Sequence, residues 1–295
     1  MNRERLALAS GWAYTAVRVL LSLAMIAFGM VKVVPTQFIT FTLPGAMLVP
    51  LGDSSPSGML WKFMATSTPY TVITGAVEVL GGLLLIFRRT TLLGALVSAV
   101  ALVQVSILNL SYGVPVILTP LLMLAMALVV ALPWWSRLLD VLIRNRDSVA
   151  LPEPPAAGRR RRRAGTLAHL AAAAVVIAAM GANGIRSYND YTERISPLDG
   201  VWAVDTYEGA GPRWVRLAID ARPAAQHLAV TRDTGELLTT ELSIDAATSR
   251  LRLDDSTLDY RQHDSTLRLT GEFDGTPVDI TLHRIPLRGE ARDFR

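Results

Sequence analysis

The sequence predicts an α-helical transmembrane bundle, four helices plus one tethering helix, followed by an antiparallel β barrel or sandwich. Three observations predict it. Apolar residues before Ile185 fall in long uninterrupted runs instead of short periodic ones, as membrane spans do. From Asp199 onward the pattern changes to strict alternation of apolar with polar residues, the mark of half-buried strands. Charge divides at the same place, with 15 Lys/Arg against 6 Asp/Glu before Ile185 and 14 against 19 from there on.

The 295 residues are 51% hydrophobic with a mean hydropathy of +0.35. A whole-chain pI near 9.7 says little about nucleic acid, because basic residues beside membrane spans account for it. The chain has no cysteine, which excludes disulfides, thiol nucleophiles and iron–sulfur centres.

Taken in order, Met1–Ser10 carries Arg3 and Arg5 before the apolar run Gly11–Val34. That run is long for a signal-peptide core and lacks a small-residue cleavage site, so it reads as the first span. Pro35–Pro69 is a long connection in which Ser54–Ala65 can form a short helix. Trp61, Lys62, Phe63 and Met64 suit either a membrane-interface seat or a soluble loop. The second span is Tyr70–Phe87, YTVITGAVEVLGGLLLIF, closed by Arg88 and Arg89. Thr91–Leu110 is the third, Ser111–Pro115 a tight turn, and Val114–Trp134 the fourth, with Trp134 and Trp135 placed as an aromatic belt. Leu151–Arg163 reads as a flexible connector ending in five arginines that anchor topology and anionic lipid. Thr166–Gly184 is a fifth, alanine-rich span.

The resulting division is a four-helix bundle over 1–136, a basic cytoplasmic linker over 137–165, a fifth transmembrane helix over 166–184 and an extracytoplasmic β domain over 185–295. Five crossings place Arg3, Arg5, Arg88, Arg89, Arg137, Arg144, Arg146 and Arg159–Arg163 on one side, which puts the N-terminus in the cytoplasm. In the last region eight short strands are predicted: Val201–Tyr207, Trp214–Asp220, His227–Asp233, Thr239–Asp245, Ser249–Asp255, Leu258–Arg261, Thr266–Phe273 and Val278–Ile285. The Asp274–Gly275 pair before the last is a strong hairpin signal. Trp202, Tyr207 and Trp214 are spaced to enter the β core, though a barrel of this size also suits a small apolar ligand.

Glu78 leads the candidate site residues, since an acid near the bilayer centre costs about 2.5–3.5 kcal/mol on insertion scales and should face the bundle interior. Gly75, Gly81 and Gly82 flank it with a small-residue face open to another helix or a flat ligand. Arg18 and Lys32 are the candidate cations, on nearly the same side of the first helix. An Arg18–Glu78 pair with Lys32 snorkelling outward is favoured; separate snorkelling with a protonated Glu78 is the alternative. Gln104 is a second buried polar group that either bonds Glu78 or a headgroup or serves helix packing, and Tyr14, one turn before Arg18, can orient it. The ligand-binding set is therefore Tyr14, Arg18, Lys32, Gly75, Glu78, Gly82 and Gln104, with Arg18, Glu78 and Gln104 the candidates for chemistry. The four histidines, His169, His227, His263 and His283, show no metal-ligand spacing. His263, Asp264 and Ser265 are adjacent in a hairpin turn and cannot make a catalytic relay.

The membrane half resembles the DoxX family, on an arginine-bearing first helix ending in GMVK (Gly29–Lys32), the segment GAVEVLGGLLLIF (Gly75–Phe87) and the basic pair after it. The resemblance covers about Ala13–Pro133. It implies a four-helix bundle in a bacterial inner membrane, with Arg18, Lys32 and Glu78 at recurrent polar positions; some members are described as a subunit of a thiosulfate:quinone oxidoreductase. The C-terminal part resembles the lipocalin-like β domains of some DoxX-like proteins, on LTGEFDGTPVDITLHR (Leu269–Arg284).

Two readings of function follow, with a third behind them. The first is a membrane protein that acts as a binding or accessory protein presenting its β domain to an envelope partner or ligand, without turnover. The second is a subunit of a membrane oxidoreductase in which Arg18, Glu78 and Gln104 line a quinone pocket; a quinone is the cofactor it calls for, none being otherwise evident. Small-solute transport is the third, weakened by the lack of an inverted repeat.

Overall fold

The structure is a computed structural model that describes residues 3–147 and 159–286, with backbone only at 3–10, 159 and 161. Arg3 and Arg5 thus have no described side chains, and Leu151–Gly158 of the predicted connector lies outside the described residues. The chain forms two compact units, Met1–Gln37 with Ser67–Ile185, and Phe38–Thr66 with Arg186–Arg295.

The first unit is helical. Its elements are α1 (Arg3–Val33), α4 (Thr68–Leu84), α5 (Thr91–Ser111), α6 (Leu118–Ala131), α7 (Trp135–Leu142) and α8 (Arg159–Thr192), the last continuing into the second unit. Among the described residues four helical stretches are long and apolar enough to cross a membrane: Gly11–Val33, Thr91–Ser111, Leu118–Leu142 and Arg162–Thr192. The second predicted span is shorter than expected. Tyr70–Phe87 becomes the 17-residue helix Thr68–Leu84, because the Thr90 hydroxyl caps the Leu84 carbonyl at 2.6 Å and turns the chain before Arg88. The fourth begins at Leu118 instead of Val114, which leaves Pro120 in the first turn, where its missing N–H breaks no helical bond. The fifth is longer than Thr166–Gly184 at both ends, so Arg159–Arg163 lie on helix, not in a flexible connector.

Helix directions follow from the contacts. A Cβ on Gly29 would stand 2.7 Å from the Gly75 carbonyl, one on Gly82 2.7 Å from the Ser22 carbonyl, and one on Gly94 2.7 Å from the Leu85 amide. So α4 runs antiparallel to α1 at backbone contact, and α5 antiparallel to α4. The Tyr14 hydroxyl donates to the Val130 carbonyl at 3.1 Å, joining α1 to the end of α6. On α8, Ala173 packs with Ile26 and Ile86, while Gly181 meets Met30 and Gly184 meets Val34, so α8 runs parallel to α1. Apolar side chains such as Val100, Leu118 and Val175 point outward, as lipid contact requires.

The second unit is a closed antiparallel barrel with strands in chain order: β1 (Gly200–Gly209), β2 (Trp214–Arg222), β3 (Ala225–Arg232), β4 (Leu237–Asp245), β5 (Arg250–Leu253), β6 (Thr257–His263), β7 (Thr266–Phe273) and β8 (Thr276–Ile285). Closure comes from β1 pairing β8. Every predicted strand appears, and closure decides for a barrel over a sandwich. Phe273 pairs with Thr276 across the Asp274–Gly275 turn, whose φ angles of 51° and 69° suit that dipeptide. Trp202, Trp214, Leu217, Ile219, Leu251, Leu269 and their neighbours fill the barrel, with Tyr207 packed against them and Trp214 edge-on to Phe273 at 4.8 Å.

Residues Phe38–Thr66 belong to this unit and include α2 (Pro44–Leu48) and α3 (Pro56–Thr66). Leu48 packs with Val201, Ala218 and Ala229, outward residues of β1–β3, and the Gly45 amide donates to Asp220 at 2.8 Å. Trp61 lies edge-on to Phe38 and Phe41, and Lys62 donates to the Val49 carbonyl and the Ser54 hydroxyl. The connection is therefore a folded cover on β2 and β3.

Candidate functional site

The predicted polar residues line the α1–α4 seam in two separate groups. Glycines set its spacing: Gly29 against Gly75 and Val79, and Gly82 against Ser22 and Ile26, allow the backbones to touch. At one end Lys32 donates to both Glu78 carboxylate oxygens, each at 2.7 Å. Lys32 is 8% exposed and Glu78 4%, so both charges are out of solvent and the pair is neutral as a unit.

The pair favoured from sequence, Arg18 with Glu78, does not form. Gly75 sits beside the Lys32 Cβ and α4 runs antiparallel to α1, so Glu78 is about 4.5 Å along the axis from the level of Lys32 and about 16 Å from that of Arg18. Counting depth from the expected helix ends hid this, because α4 starts and stops earlier than its apolar run suggests. Lys32 accordingly points inward and does not snorkel.

Arg18 forms the other group. Its Nη1 donates to the Thr91 hydroxyl at 3.3 Å, and that hydroxyl donates in turn to the Phe87 carbonyl at 2.9 Å. The Nε of Arg18 is buried with no hydrogen-bond partner among the described residues. Tyr14 is an electrostatic neighbour, but its hydroxyl is spent on Val130. Gln104 joins neither group; it is exposed and donates to the Tyr70 hydroxyl at 3.1 Å. Of the seven predicted residues, Lys32, Gly75 and Glu78 come together, Arg18 and Gly82 lie further along the same seam, and Tyr14 and Gln104 face other partners.

Sequence reasoning missed His169, which α8 brings near Arg18, and Thr91. It also missed a polar cluster in the barrel unit. Asp199, fully buried, accepts from Arg222 at 2.8 Å and from the Ala221 amide at 3.0 Å, with Arg194 at 3.3 Å. Arg284 donates to the Asp199 carbonyl and lies over the Trp202 ring at 5.4 Å, while Trp202 donates to the Leu198 carbonyl. A recess of 310 Å³ beside them is lined by Arg194, Ile195, Ser196, Pro197 and Arg284. The signal available in sequence was the run Asp220–Ala221–Arg222, two charges in a strand buried on both faces. Burial pushes the Asp220 carboxyl above the usual carboxylate range, against the Gly45 hydrogen bond, which lowers it.

No group of three or more His, Cys, Asp or Glu placed to hold a metal occurs among the described residues. The fold defines a class: membrane-length helices followed by a closed eight-stranded barrel. No family model, curated protein or solved structure matches the chain.

Proposed function

We propose that this is a membrane-held accessory protein that presents the outer surface and rim of its barrel to a partner, with no turnover of its own. The observation that carries this is the barrel interior, where seventeen-odd positions are not vacant but occupied by tightly packed side chains such as Trp202, Leu228 and Leu282, about what an eight-stranded barrel can hold. Recognition then falls to the exterior, where Arg250–Asp259 and Arg268–Asp279 form cross-strand pairs at 2.8 Å and 2.6 Å. A fluorescent fatty acid tests it. The purified protein should neither bind the probe in its barrel nor show quenching of Trp202 and Trp214; saturable quenching of both would contradict the reading.

The DoxX-like and lipocalin-like resemblances belong to this proposal. The first is supported by the meeting of its two motifs, Gly29–Lys32 and Gly75–Phe87, through Lys32 and Glu78.

The proposed topology has five crossings, a cytoplasmic N-terminal side and an extracytoplasmic barrel in a bacterial inner membrane. Although α4 has only 17 residues, it lies along α1 from Lys32 to beyond Ser22, which supports its crossing. The parallel course of α1 and α8 supports opposite sides for their starting and leaving ends. The domain limits at 136, 165 and 184 remain part of the same proposal.

The second reading, a quinone-binding oxidoreductase subunit, keeps one favourable observation, the unpartnered Nε of Arg18. Extraction of the purified protein should then yield quinone, and less of it from Arg18→Gln; protein free of quinone contradicts it.

A further inference from the structure

Arg18 is 9% exposed and His169 4%, and neither has the partners such burial demands. Among the described residues the arginine has one hydrogen bond, a long one to Thr91, and its Nε has none. Both ring nitrogens of His169 are buried without a partner among those residues. The parallel course of α1 and α8, with Ala173 beside Ile26 and Gly181 beside Met30, sets His169 level with Arg18, whose charge acts on it, and Arg88, exposed at the turn after α4, adds a further positive field on Arg18. Glu78 is the one buried acid among the described residues of the helical unit, and Lys32 holds both its oxygens.

A buried guanidinium lacking a carboxylate is a charge in search of an anion. We propose that Arg18 and His169, with Thr91 holding the arginine, form a site for a phosphate-type oxyanion between α1, the start of α5 and α8. The planar fork of arginine matches two oxygens on one centre. A neutral imidazole adds one N–H donor to a third oxygen. Thr91 serves as a positioning residue: its hydrogen is committed to Phe87, so its oxygen accepts from Arg18. The phosphate can come from a lipid headgroup in the surrounding leaflet or from the free ion; the site chemistry is the same. This proposal is independent of whether the barrel has a partner.

Native mass spectrometry of the full chain in detergent tests it, with phosphatidylglycerol, diacylglycerol and inorganic phosphate as separate probes. The wild type should retain phosphatidylglycerol or phosphate and not diacylglycerol. Arg18→Gln and His169→Leu should each weaken that retention by about tenfold or more. Arg18→Lys, which keeps charge but loses the fork, should recover part of it. Arg144→Gln, which removes an exposed charge paired with Asp140, should leave it unchanged. Retention of phosphatidylglycerol alone assigns a lipid source, and its displacement by inorganic phosphate assigns the free ion. Equal retention by the wild type and both variants, or equal binding of diacylglycerol, overturns the proposal. Should Arg18→Gln fail to fold, His169→Leu decides, since it removes a neutral side chain.

Discussion

Lys32 and Glu78 neutralise each other where neither could stand alone. Changing Glu78 to Gln leaves an ammonium in an apolar seam, and changing Lys32 to Met leaves a carboxylate there; each should cost about 3–5 kcal/mol. The double variant Lys32→Met/Glu78→Gln should recover most of that loss, because it removes both charges together. Thermal unfolding of the four proteins in one detergent checks this as a double-mutant cycle, and additive single losses would refute the pairing. Asp220 behaves in the opposite way to a paired acid. Its carboxyl is raised by burial, so the folded barrel unit favours the protonated form more than the unfolded chain does. Its contribution is fully present below the ordinary carboxylate range and is lost as pH rises through the raised value. Asp220→Asn keeps an acceptor for the Gly45 amide without the charge. The variant should therefore gain stability over the wild type as pH rises from about 4 to 7, read as the difference between their melting temperatures. A constant difference would contradict the assignment.

At the scale of elements, the α1–α4 seam depends on the absence of side chains at three places. A Cβ on Gly75 would lie 2.6 Å from the Gly29 carbonyl and 2.9 Å from the Val33 amide, both backbone atoms that cannot swing aside. Gly75→Val should force the helices apart at a cost of about 1–3 kcal/mol and expose the Lys32–Glu78 pair to solvent. Faster hydrogen exchange of α4 amides, with α5 and α6 unchanged, is the expected signature. Gly75 and Gly82 were legible in the sequence as a small-residue face, whereas Gly29 stood only within GMVK and Gly81 turns to Ser98 of α5. The partner of Glu78 was not, because it depends on interhelical register, and a shift of a few residues in where α4 begins and ends chooses between two cations four turns apart. The strands were legible throughout, since alternation reports burial directly and turns such as Asp274–Gly275 fix the pairing. The cover formed by 38–66 escaped reading for a different reason. Its apolar stretches are short and interrupted by Pro44, Gly45 and Pro50, and what orders them is contact with β2 and β3, 175 residues away in sequence between Gly45 and Asp220.

Across the whole molecule, the helical unit and the barrel unit carry different physics. Lipid-facing apolar side chains stabilise the first only in a membrane, whereas the packed interior of the second keeps its core from water on its own terms. The two groups of polar residues along the seam divide the labour that one site was expected to perform: a neutral, closed pair at Lys32 and Glu78, and an open cation at Arg18. His169 escaped sequence reading because nothing in the composition of an alanine-rich helix says which helix it faces. That α8 runs parallel to α1 is the feature on which the proposed sidedness turns. The absence of cysteine from the chain allows a direct measurement. Thr234→Cys, exposed in the turn between β3 and β4, and Asp147→Cys, exposed beyond α7, are treated separately on intact cells with a membrane-impermeant maleimide. Labelling at Thr234→Cys before lysis, with Asp147→Cys labelled only after it, is the predicted result. Labelling of the two positions from the same side would contradict an extracytoplasmic barrel and the five-crossing arrangement.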